Sequence, residues 1–418
     1  MLRSFALALP LVLLFVASAA ALDAVGTIKS IAAEAGTLVV FAGGQDRNLT
    51  AAADLQVLDK AGKPLAGGLK SPELKAGVEV SVTVQPGAGR IALHVLRLGA
   101  VRPAPGPGQA GRRNSAPPEI TERPSVGFKP LTEMTAADNY KGEDGGLYGG
   151  GKNEPPAAHA AAAKQITESI VPLGPDGKPS ADGKVVLISM SMSNATQEFS
   201  TFKRLADADE AKSSKLTIVD CAQGGQTMAA WAQSEGRCWA EAMRRLEAAN
   251  ITPEQVQVIW VKLANAGPQG ELNEHGKRLY DDTVKVLHLA KERFPNAKIA
   301  YLSSRIYGGY ATTRLNPEPY AYEGAFVVRW LLRDQIKGDA ALNYDLTKGG
   351  VNSPLLLWGP YLWADGTTPR KSDGLLYERA DLAGDGTHPT SEGQRKVAGV
   401  ILNFFKTDAN AKTWFVEK

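Results

Sequence analysis

Four short polar stretches carry the side chains with which this chain could do chemistry. The first is Ser189-Met190-Ser191-Met192-Ser193-Asn194, and the second runs from Asp220 to Thr227 through Gly224-Gly225. The third runs from Lys262 to Gly267 through Asn265, and the fourth is Gly384-Asp385-Gly386-Thr387-His388-Pro389. A serine hydroxyl is unreactive until a neighbouring base takes its proton. Of the five histidines, His388 has a carboxylate three residues earlier, Asp385, so one loop turn can supply both. Serine, imidazole and carboxylate together are the parts of a nucleophilic acyl-transfer site.

The elements around these stretches decide whether they can meet. Lys184-Val185-Val186-Leu187-Ile188 precedes the first, Leu216-Thr217-Ile218-Val219 the second, and Val256-Gln257-Val258-Ile259-Trp260-Val261 the third. Lys298-Ile299-Ala300-Tyr301-Leu302 is a fourth run of this kind. Short, mostly apolar runs are what a parallel sheet covered on both faces requires. Helical patterns alternate with them around 236–249, 274–293 and 392–406. Strand and helix in alternation predict a right-handed parallel βαβ sheet, with its site at the carboxyl ends of the strands. The aromatic-rich stretch between Leu302 and Leu382 includes an amphipathic helix around 318–336. Its rings are read as core, with some beside the site. Glu198 is read as a helix-start acid.

Serine, glycine, asparagine and Asp-x-x-His in this order resemble the four blocks of the SGNH (GDSL-like) hydrolase superfamily, over roughly residues 180–405. Asp385-Gly386-Thr387-His388-Pro389 is the strongest match; Gly225-Gln226-Thr227 and Asn265 match the second and third blocks. The resemblance implies an α/β fold, a flavodoxin-like three-layer α/β/α sandwich, and a serine esterase that needs no cofactor and no metal. It assigns Ser193 as nucleophile, His388 as base and Asp385 as the acid that orients it. The oxyanion donors would be the Ser193 and Gly225 backbone N–H groups and the Asn265 amide. Two departures stand out. Ser191-Met192-Ser193 replaces Gly-Asp-Ser, and Ala264-Asn265-Ala266 lacks the Asp that often follows the asparagine. Ser189 and Ser191 are rival nucleophiles, but Ser191 falls at the family's glycine position. The expected substrate is an ester, an O-acetyl group on a carbohydrate. The alternatives are an acyltransferase of the same fold and a non-catalytic glycan- or surface-binding protein.

The rest of the chain sets the context. Residues 1–21 read as a signal peptide: Arg3, an apolar run from Phe5 to Val16, then small residues to Ala21. That run is shorter than the roughly 20 residues a membrane span needs. Export, to the periplasm or outside the cell, is the expectation. Short β-branched runs between turn signals over residues 22–100 predict a small antiparallel sheet or partly open barrel. This accessory domain weakly resembles OB-like modules. A Pro-rich linker follows at 101–130, and the hydrolase-like domain at 131–418. The net charge of +3 arises from 47 basic and 44 acidic residues, which argues against a nucleic-acid partner. Two cysteines and five histidines exclude zinc ribbons and disulfide scaffolds. Cys221 and Cys238 are expected to form a disulfide, or else to be two buried thiols. Gly146 to Asn153 nearly spells a phosphate-binding loop, but Asn153 stands where a Ser or Thr would be and no strand precedes it. Asn48-Leu49-Thr50 and Asn194-Ala195-Thr196 are read as chance glycosylation sequons.

Overall fold

A computed structural model describes residues 22–42, 45–87, 90–99 and 122–417. The signal peptide expected at 1–21 lies outside them, as does the Pro-rich stretch up to residue 121. The chain divides into two compact units, residues 1–113 and 114–418.

The first unit has five strands: β1 (Leu22–Ala32), β2 (Thr37–Ala42), β3 (Gln45–Leu58), β4 (Glu79–Gly87) and β5 (Arg90–Leu98). They form a closed barrel in the order β1-β2-β3-β5-β4. β1 pairs antiparallel with both β2 and β4, which closes the ring. Two expectations are corrected here. The barrel is closed rather than partly open, and it is not wholly antiparallel, because β3 and β5 run parallel. The reason is the long connection at residues 59–78, which lets β4 skip past β3 to pair with β1. β5 then fills the gap beside β3. Inward-facing Ile28, Val40, Val80 and Leu96 are fully buried and form the barrel's own core.

The second unit alternates helix and strand. In order come α1 (Ala157–Glu168), β6 (Val185–Met190), α2 (Ser193–Asp207), β7 (Leu216–Val219), α3 (Met228–Trp231) and α4 (Arg237–Ala248). Then follow β8 (Val256–Lys262), α5 (Leu272–Arg293), β9 (Ile299–Ser303), α6 (Tyr320–Ile336), β10 (Leu355–Trp358), α7 (Ser391–Thr407) and α8 (Lys412–Phe415). The sheet order is β10-β9-β8-β6-β7, and every neighbouring pair is parallel. Every residue of β6 and β8 is buried, as a sheet covered on both faces demands. Helix α2 packs on α7, and α5 on α6. The strand order reverses between β6 and β8. In open α/β sheets the crevice beyond the carboxyl ends at that switch point is where ligands bind.

Several local expectations resolve differently. Cys221 and Cys238 are free, buried thiols, so the expected disulfide is absent. Their sulfurs turn toward different main-chain carbonyls, those of Ala242 and Ala230, and burial pushes the Cys221 thiol up. The glycine-rich loop is filled by its own chain. Asp144 accepts the Gly150 N–H at 2.6 Å, and buried Arg329 donates to the Asp144 carbonyl at 2.7 Å. Packing of this unit has begun by residue 122, inside the stretch expected as linker. Arg123 N–H donates to the Gly309 carbonyl at 2.8 Å, and Asp365 accepts the Val126 and Gly127 N–H groups at 2.8 and 2.9 Å. Among the described residues, no helix is long and apolar enough to cross a membrane.

Candidate active site

Helix α2 begins at Ser193, two residues after β6 enters its turn. Its first N–H groups have no intrahelical acceptor, and its N-terminal end carries a partial positive charge. Ser193 is 4% exposed, and its Oγ lies 2.7 Å from His388 Nε2. On the far side of the ring, His388 Nδ1 lies 2.5 Å from Asp385 Oδ2. A carboxylate only accepts, so the ring proton belongs on Nδ1 and Nε2 is left to accept from the serine. Asp385 Oδ1 also accepts the N–H groups of Thr387 and His388, each at 3.0 Å. Burial pushes the Asp385 carboxyl up. The ring hydrogen bond, the charge of His388 and the two main-chain donors outweigh it and hold the carboxyl below its ordinary value.

The rival serines are committed elsewhere. Ser189 Oγ donates to Asp220 at 2.5 Å, and Ser191 Oγ donates to the Lys262 carbonyl. Ser191 has φ +150°, a conformation L residues rarely adopt, at the position where the family resemblance expects glycine.

The other two residues lie on the neighbouring loops. Gly225 follows β7 with φ +74° and is exposed, and a Cβ built there would meet nothing within 4 Å. Asn265 follows β8, and both its main chain and its side chain are held. Tyr320 OH donates to its carbonyl at 2.7 Å and accepts its N–H at 3.0 Å. Its side-chain oxygen accepts from Ala229 N–H at 2.9 Å, and one amide N–H goes to Asp282 at 2.8 Å. The second amide N–H is left to point elsewhere.

Five hydrogen bonds tie these loops into a ring. Gln223 N–H donates to Ser191 O at 3.0 Å, and Met228 N–H to Ala264 O at 2.9 Å. Gly267 N–H donates to Leu315 O at 3.3 Å, and Thr312 N–H to Asp385 O at 3.0 Å. Asn194 Nδ2 closes the circuit onto Thr387 O at 2.9 Å. Asn194 is fully buried, so its sequon cannot be glycosylated in the folded chain.

Sequence reasoning missed the residues that hold this arrangement. Tyr320 and Asp282 sit on helices whose patterns announced burial, not a polar contact. Glu198, read as a helix-start acid, is fully buried and bonded to Lys262 Nζ at 2.6 and 2.5 Å. Among the described residues, no group of three or more His, Cys, Asp or Glu could hold a metal ion.

No known family model matches the chain, and no curated protein matches it in sequence. Solved structures resemble parts of it. Silver-bound CusF from Escherichia coli aligns at 13% identity and TM-score 0.16, covering 20% of this chain and 98% of CusF. The periplasmic domain of a lipopolysaccharide acetyltransferase from Salmonella ser. Paratyphi A aligns at 12% identity and TM-score 0.29. That alignment covers 59% of this chain and 96% of the other.

Proposed function

We propose that this chain is an exported serine hydrolase of the SGNH type that cleaves an ester, an O-acetyl group on a carbohydrate. The observation that carries the reading is the line from Ser193 Oγ through His388 to Asp385, at 2.7 and 2.5 Å. In that line Ser193 Oγ attacks the ester carbonyl carbon while its proton passes to His388 Nε2. Asp385 balances the imidazolium. The ester C–O bond then breaks, and the proton goes from Nε2 to the departing alcohol oxygen. Water, deprotonated by the same nitrogen, attacks the acyl-serine carbonyl; the bond to Ser193 Oγ breaks, Oγ takes the proton back from Nε2, and the carboxylic acid leaves. The tetrahedral oxyanion would lie against the Ser193 and Gly225 N–H groups and the free amide N–H of Asn265. One such donor is worth about 3–4 kcal/mol of barrier. The acetyl and carbohydrate parts rest on the family resemblance and the expected export.

The test is turnover of p-nitrophenyl acetate by the full chain, beside Ser193→Ala and a fluorophosphonate label located by mass spectrometry. Turnover lost in the variant, with the label on Ser193, supports the reading. Absence of both turnover and label sinks it in favour of a glycan-binding protein. Transfer of acetyl to an added sugar in place of water makes it a transferase.

A further inference from the structure

Four lysine or arginine side chains are buried among the described residues: Lys262, Arg305, Arg329 and Arg370. Three of them have a carboxylate partner. Lys262 pairs with Glu198, Arg329 with Glu143 and Asp144, and Arg370 with Asp373. Arg305, 2% exposed, has none. Its Nη1 lies 3.2 Å from the Met192 sulfur, and its Nε and Nη2 have no hydrogen-bond partner. Stability alone does not explain a buried cation with idle donors, because its desolvation goes unrepaid.

Its position supplies the reason. Arg305 follows β9 at the carboxyl edge of the sheet. The charged and titratable groups that face it are Glu198 from α2, Lys262 from β8 and Tyr320 from α6. Met192 is the residue before Ser193, and Tyr320 OH clamps the main chain of Asn265. The guanidinium therefore lies behind both segments assigned to hold the oxyanion. Glu198 and Lys262 sum to zero whether both are charged or both neutral. Arg305 stays charged, so the region behind the site carries one positive charge in excess.

We infer that Arg305 is an electrostatic positioning residue, whose uncompensated buried charge is balanced only when the tetrahedral oxyanion forms at Ser193. The inference rests on the proposed hydrolase reading. At 2% exposure no substrate group touches Arg305, so it acts through space.

The test uses Arg305→Met and Arg305→Lys in the full chain, after the fluorophosphonate label has located the nucleophile in the unaltered protein. No label on Ser193 defeats the hydrolase reading itself, and the inference with it. With Ser193 labelled, Arg305→Met is expected to lose about tenfold in kcat with KM nearly unchanged, the pattern of an interaction made only in the transition state. Its Tm should hold or rise, because the charge removed had no partner. Arg305→Lys, which keeps the charge, should recover most of kcat. A methionine variant with full kcat overturns the inference. If Arg305→Met does not fold, Arg305→Lys decides: kcat lost as deeply as in Ser193→Ala overturns the charge argument.

Discussion

Ser193 Oγ and His388 Nε2 meet at 2.7 Å across 195 residues of chain. The fold fixes the two ends separately. Ser193 is the first residue of α2, and His388 is held by Asp385 within a loop that Thr390 and α7 anchor. Removing the hydroxyl should therefore disturb chemistry and not folding. Ser193→Ala is expected to keep the Tm within a few degrees while kcat falls by roughly 10⁶. Asp385→Asn leaves the ring in place but favours the wrong tautomer, and should lose about 10⁴ in kcat. Stopped assays on an activated acetate ester, with calorimetry on the same samples, measure both. A variant of either residue with near-full turnover would remove the line from the mechanism.

Two glycines of the site share a left-handed backbone but not their surroundings. Gly225 has φ +74° and open space where a Cβ would go. Gly386 has φ +63°, and its Cβ would stand 1.6 Å from the Tyr310 carbonyl oxygen. Gly225→Ala should cost about 1 kcal/mol, the backbone term alone. Gly386→Ala adds a clash with main chain that cannot swing aside, and should cost at least about 3 kcal/mol. Denaturant titration of the two variants separates them. Equal losses would mean that the Tyr310 loop yields. Because that loop also bonds Asp385 through Thr312, Gly386→Ala should lower kcat as well.

The same contrast shows what the sequence discloses. The candidate stretches around Ser193, Gly225, Asn265 and the Asp385–His388 pair stand out in the sequence because each adjoins an element with a clear apolar pattern. β10 was not, since Leu355-Leu356-Leu357-Trp358 is four residues inside a long stretch without alternation. The parallel pairing of β3 with β5 was equally hidden, because strand patterns carry no direction and the long loop at 59–78 decides it. The buried charges were the hardest to see. Lys262 ends a strand and Glu198 lies near a helix start, both places where charged residues ordinarily meet solvent. Only the tertiary fold brings them together and buries Tyr377 near Glu198.

The Glu198–Lys262 pair yields a stability prediction. Both groups are at most 1% exposed, and burial pushes the Glu198 carboxyl up and the Lys262 ammonium down to about 8. Each is tolerated because the other is there. Removing one strands the other, a loss of about 3–5 kcal/mol for a buried pair. Glu198→Gln, which leaves Lys262 buried beside the Arg305 cation, should therefore be strongly destabilised. Adding Lys262→Met removes the stranded charge and should return a large part of that loss. Urea titrations of the two singles and the double complete the cycle. Additive losses would show that the two side chains do not depend on each other.

Glu318 offers a pH test independent of the Ser193–His388–Asp385 line. It is partly buried between β9 and α6, and accepts from Gly308 N–H and Trp363 Nε1 at 2.8 Å each and from Tyr322 N–H at 3.0 Å. Removal from water pushes its carboxyl from 4.5 up to about 7, against the pull of those donors. Between these values the folded chain holds a proton that the unfolded chain has released. Stability should therefore fall as pH rises through that window and level off above it. The contribution is roughly 2 kcal/mol, allowing for the solvent that still reaches the group. Glu318→Gln has no proton to lose. Its own fixed cost is the same at every pH, so only the difference between the two stability curves matters. That difference should shift in favour of the glutamine variant between about pH 4.5 and 7. Parallel curves would mean that Glu318 ionises in the fold as readily as in the unfolded chain.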